Sequence, residues 1–121
     1  MSIALIHKYL GESLITLSIL GLLITLFVKG PEGGTHRLAQ IALRLLVILL
    51  SLQWLLGVIN YFTIPAVARP SLAHPLIMTV VVAASHILAG KAKSAPASGK
   101  GIMVGIFVGA AVLMWIGMGM V

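Results

Sequence analysis

Long apolar stretches broken by short polar or Gly/Pro-rich intervals make up almost the whole chain. They run roughly over residues 3–28, 38–62, 71–89 and 102–121. Each is close to the ~20 apolar residues that cross a bilayer core as helix. The intervals carry helix breakers: Gly30-Pro31-Glu32-Gly33-Gly34 after the first stretch, Pro65 and Pro70 after the second, and Ser94-Ala95-Pro96-Ala97-Ser98-Gly99 before the fourth. Alternating strands of about ten residues are absent, and four strands could not close a barrel. The pattern predicts an all-α integral membrane four-helix bundle, a single domain over residues 1–121. The first stretch lacks a basic n-region and is too long for a cleaved leader, so it is read as a retained helix.

Polar and small positions inside the stretches have helical spacing. The first carries His7, Gly11, Leu14, Ser18, Gly21 and Thr25 at intervals of three and four, which predicts an inner face with His7 at its top. The fourth carries Gly101, Gly105 and Gly109 at intervals of four. That stripe lets another helix approach closely, from a neighbouring subunit or a second copy of the chain.

Composition agrees with the pattern. The chain is 60% hydrophobic and 8% charged, with a mean hydropathy of +1.18, whereas soluble domains hold roughly 25% charged residues. The net charge of +6 would suit nucleic acid, but most of the cations flank the apolar stretches and set topology instead. Lys29, Arg37, Lys91, Lys93 and Lys100 belong to the first and third intervals. Lys8 and Arg69 are the only cations at the other side. This asymmetry predicts an N-out/C-out arrangement, expected in a bacterial inner membrane. The absence of cysteine removes disulfides and thiolate metal sites. There is no phosphate-binding glycine loop, dinucleotide fingerprint, zinc signature or Ser/His/Asp series.

Ionisable groups at membrane depth are costly and mark function. By this topology His7 and His74 both start helices near the outer face, at similar depth. Two imidazoles facing across a helical bundle suit the axial positions of a b-type haem. Gly11, one turn below His7, leaves room for a flat macrocycle, and Met78, one turn below His74, would pack against it. Lys8 and Arg69, each near one histidine in sequence, are the expected partners of the propionates.

The second stretch reads Leu-Val-Ile-Leu-Leu-Ser-Leu-Gln-Trp-Leu-Leu-Gly from Leu46. After a short loop comes Leu72-Ala73-His74, and the first stretch opens with His7-Lys8. This resembles one half of haem A synthase, in which helices opening His-Arg and Leu-Ala-His, with a Leu-Gln-x-x-Leu-Gly helix between them, build a four-helix bundle around a haem b. The resemblance covers roughly residues 5–88 and implies that His7 and His74 are haem ligands. The chain departs from that family in three ways. It has Lys where the family has Arg, it lacks the carboxylate before the first histidine (Glu12 follows it instead), and it adds a helix at the C-terminal end. The expectation is therefore haem binding and electron transfer rather than haem hydroxylation.

Other constellations are weaker. His36 and His86 near the inner face would hold a second haem, but His74 and His86 are 12 residues apart, about 120° around a straight helix. Glu12, inside the first helix, suggests an alternative: a small proton-coupled transporter. A cofactor-free structural or assembly subunit is the other alternative, with incidental histidines. A single imidazole would also serve a chlorophyll-type pigment. Gln53 lies deep enough to need a partner, which is expected on the third helix or at the haem edge. The leading expectation is a haem-bearing, electron-transferring subunit of a respiratory or photosynthetic membrane complex. Its partners would be lipid, other membrane subunits and a quinone, not nucleic acid.

Overall fold

The computed structural model describes residues 2–30, 37–69, 71–94 and 96–119. Four helices account for nearly all of them: α1 (Ile3–Phe27), α2 (Arg37–Thr63), α3 (Ala73–Ser94) and α4 (Pro96–Gly119). A 3-10 turn, Ala66–Ala68, bridges α2 and α3. Ser2 caps α1 by accepting the backbone N–H of Leu5 on its hydroxyl, at 3.2 Å. The bounds of α1 and α2 fall within a residue of those the hydropathy predicts. The third interval differs. α3 continues to Ser94 and α4 begins at Pro96, so the expected loop is helical on both sides of residue 95. Pro96 stands at the first helical position, where its missing N–H is not needed and its fixed φ already suits the helix.

All four helices are long and apolar enough to cross a membrane. They pack as a closed ring, each antiparallel to its sequence neighbour: α1 against α2 and α4, and α3 against α4 and α2. α1 and α3 therefore stand on a diagonal. The buried residues of α1 are Gly11, Leu14, Ser18, Gly21 and Thr25, the face its spacing marks out. In lipid the attraction between helices comes from close packing rather than water exclusion, so small residues at the seam matter most. Gly21 is the clearest case. A Cβ there would lie 2.4 Å from Cε1 of Phe107, a fully buried ring of α4. Leu14, Leu46 and Leu50 complete the centre. The buried hydroxyls of Ser18 and Thr25 donate to the carbonyls of Leu14 and Gly21, at 2.8 and 2.7 Å, so neither is left unpaired.

The seam between α2 and α3 is the lighter one, and side-chain hydrogen bonds join it. Trp54 Nε1 donates to Thr79 Oγ1 at 2.9 Å, and Ser51 Oγ lies 2.7 Å from His86 Nε2. Outward-facing positions are largely apolar, including Phe27, Phe62, Leu72, Val80 and Trp115. Apolar residues all round a helix mark contact with lipid rather than water. Nothing lies within 4 Å of a Cβ built at Gly101, Gly105 or Gly109, so the glycine stripe of α4 is not used to pack the ring.

Candidate haem site

The antiparallel ring brings the start of α1, the end of α2, the start of α3 and the end of α4 to one end of the bundle. A cavity of about 410 Å³ opens there. Its lining includes His7, Lys8 and Gly11 from α1, Gln53 and Asn60 from α2, His74 and Met78 from α3, and Met114 and Met118 from α4. A smaller space of about 80 Å³ adjoins it on the α2–α3 side, sharing His7, Gln53, Asn60, His74 and Met78 and adding Gly57 and Tyr61.

The two imidazoles face each other across the diagonal. Their ring centres are 6.4 Å apart and their planes are at 83°. His74 Nδ1 lies 2.8 Å from the carbonyl oxygen of Gly117. A carbonyl only accepts, so Nδ1 is the protonated nitrogen and Nε2 of the neutral ring keeps a free lone pair. Gly117 sits in the last turn of α4, where carbonyls have no helical partner, so the same bond satisfies one of them. A Cβ at Gly117 would lie 3.2 Å from Met78 Sδ and 3.6 Å from His74 Nδ1, so the glycine lets the start of α3 come close.

His7 is seated against α2. A Cβ at Gly57 would stand 2.8 Å from His7 Cε1, so only glycine there admits the ring at this position. Gln53, one turn earlier on the same face, donates from Nε2 to the backbone carbonyl of His7 at 2.7 Å. Gln53 therefore faces α1, not α3. Its amide also lies 3.0 Å from where a Cβ at Gly11 would be. The room over Gly11, expected to admit a macrocycle, is partly taken by this amide. His7 Nδ1 and Gln53 Oε1 are both buried without a hydrogen-bond partner.

Of the residues singled out from the sequence, His7, His74, Lys8, Gly11 and Met78 line one cavity. Arg69 lines neither space; its guanidinium lies 5.2 Å from the centre of the Tyr61 ring. Glu12 is exposed and lines neither space. His86 is exposed and hydrogen-bonded to Ser51. His36, its expected partner in a second haem site, lies outside the described residues. Sequence reasoning passed over Gly117, Met114 and Met118, and took Gly57 only as the closing residue of the Leu-Gln-x-x-Leu-Gly motif, without a role. A signal for Gly57 was present: it follows Gln53 by four residues, so both share a face, and both meet His7. The chain matches no protein-family model, no curated protein and no solved structure.

Proposed function

We propose that this protein is a b-type haem-binding membrane protein that transfers electrons, with His7 and His74 as the residues that would hold the haem. The opposed imidazole pair is the observation that carries the reading. The ring centres stand 6.4 Å apart, which would leave room for one metal ion between a nitrogen of each ring. The donor set also suits the group. His74 has its Nδ1 committed to a backbone carbonyl, the arrangement that orients a metal-bound histidine and raises its basicity. Three thioethers, Met78, Met114 and Met118, supply the adaptable apolar lining that a flat macrocycle needs. Gly57 seats His7 where a Cβ would push into its ring, and Gly117 leaves room for Met78 beside His74.

A haem held by His7 and His74 would supply reversible one-electron transfer. The residues of the chain hold and orient it. Lys8, on the cavity rim, would pair with an anionic propionate. Lys8 is the cation among the lining residues, and Arg69 stands beside Tyr61 at the edge of the adjoining space. The electron partner we assign is a membrane-embedded subunit or a quinone. The open glycine stripe of α4 is the face we assign to a neighbouring subunit or a second copy. Topology by the positive-inside rule puts the site near the outer face of a bacterial inner membrane.

The test is a reduced-minus-oxidised absorption spectrum of protein purified from haem-replete cells. A b-type α-band, lost in His7→Ala and in His74→Ala, is expected. A chlorophyll-type spectrum or a colourless preparation would overturn the reading.

A further inference from the structure

Two buried polar atoms at this site have no partner: Oε1 of Gln53 and Nδ1 of His7. The two residues are already joined, because Gln53 Nε2 donates to the His7 carbonyl at 2.7 Å. That bond fixes which way the amide points, since the oxygen of the amide could not face another carbonyl oxygen at that distance. Oε1 is thus committed as an acceptor on the His7 side of α2, and Gln53 is only 5% exposed. His7 Nδ1 is fully covered, so it is not the nitrogen that opens onto the 410 Å³ cavity. An acceptor without a donor and a nitrogen able to carry a proton complement each other, and neither has water to turn to in a membrane interior.

We propose that Gln53 is the positioning residue of His7: its Nε2 holds the His7 backbone, and a small rotation of the amide, which would give both unpartnered atoms a partner, lets its Oε1 accept Nδ1–H of the imidazole, so that Nε2 is the nitrogen presented to the cavity. In its redox consequence this rests on the haem reading above. Gln53 then does for His7 what the Gly117 carbonyl does for His74. With that bond made, each histidine would carry an oxygen acceptor on Nδ1, as His74 already does. The residue spacing has a reason in this arrangement. Gln53 and Gly57, one helical turn apart, grip the backbone and the ring of His7 respectively, and Gly11 leaves space for the amide.

The consequence is electronic as well as steric. An acceptor on Nδ1–H makes the imidazole a more basic ligand, which favours the oxidised iron and lowers the potential. A merely structural glutamine would not act on the potential through hydrogen bonding. The test uses the full chain in lipid nanodiscs, with Gln53→Leu, Gln53→Met and Gln53→Glu. A protonated Glu retains both a donor and an acceptor. The expected result is a higher midpoint potential in the Leu and Met variants, or loss of haem from them, with Glu at or below the wild-type value. An unchanged potential in both apolar variants would overturn the proposal, as would a rise in Gln53→Glu equal to theirs. Imidazole ¹⁵N shifts of the haem-free chain separate this proposal from the haem reading. Wild type and Gln53→Glu should hold His7 as the Nδ1–H tautomer, and Gln53→Leu should release it to a mixture. If wild type takes up no haem, the haem reading fails and these shifts decide the role of Gln53 alone. The same His7 tautomer in all variants would overturn it.

Discussion

His74 Nδ1 and the Gly117 carbonyl oxygen are 2.8 Å apart, a bond that joins α3 to α4 at the cavity end of the bundle. The bond fixes the tautomer of one imidazole and ties the start of α3 to the end of α4. It also makes the conformation of a C-terminal turn part of the site. Replacing Gly117 by Leu should therefore displace both Met78 and His74 and lower haem affinity by about 10–100-fold, the usual range for losing a supporting contact of a metal ligand. Gly117→Ala should be mild, because the nearest atom is the end of a flexible thioether. Haem titration of the purified chain followed by absorbance measures both. Equal affinity in Gly117→Leu and wild type would contradict the assignment.

Gly57 and the outer glycines should behave oppositely. A Cβ at Gly57 meets the His7 ring at 2.8 Å, whereas at Gly105 and Gly109 it meets nothing within 4 Å. Gly57→Ala should reduce haem content by about tenfold or more, with Gly105→Ala and Gly109→Ala unchanged in spectrum. Haem-to-protein ratios of the three variants check this directly.

Gly21 and Phe107 should couple strongly in stability without touching the spectrum. An added methyl at Gly21 would collide with the ring at 2.4 Å, and overpacking of this kind costs about 1–3 kcal/mol. Phe107→Leu should recover much of that loss in the Gly21→Ala background. Thermal denaturation of the four combinations in detergent gives the cycle; strictly additive effects would show that the two do not meet.

The cations should divide in the same way as their positions. Lys8 lines the cavity and Arg69 lies against Tyr61. Lys8→Met should weaken haem retention by a few-fold, in line with the ~0.2–1 kcal/mol of an exposed ion pair, and Arg69→Met should leave it unchanged. Haem dissociation rates in competition with a high-affinity acceptor protein distinguish the two.

His86 and Glu12 should be dispensable for the cavity-end haem. His86 is occupied with Ser51, and an interhelical bond of this kind in a membrane averages about 0.6 kcal/mol. His86→Ala should cost about that much stability and leave the haem-to-protein ratio at its wild-type value, as should Glu12→Gln. A fall in haem stoichiometry in His86→Ala would instead point to a second haem.

Much of the fold was legible because membrane helices leave few choices. The stretches of about 20 apolar residues set element number and the approximate bounds of α1 and α2. The three-four spacing from Gly11 to Thr25 set the face of α1 that became buried. The third interval was misjudged because Pro96 and its small neighbours read as breakers, although proline fits a first helical turn. At the site, topology alone brought His7 and His74 to one end. The direction of Gln53 was not readable, because periodicity gives a face but not which neighbour fills it. Met114, Gly117 and Met118 were hidden for a related reason. The glycine stripe drew attention to one side of α4, and the other side meets the histidines. Arg69 was placed by nearness in sequence; the turn at Ala66–Ala68 sets it against Tyr61, which lines the adjoining space.

The most direct measurement is the reduced-minus-oxidised difference spectrum of the full chain from haem-replete cells, beside His7→Ala and His74→Ala made in the same way. The account predicts a b-type α-band in the wild type and its loss in each variant. A colourless wild-type protein, or a band that survives both substitutions, would contradict it.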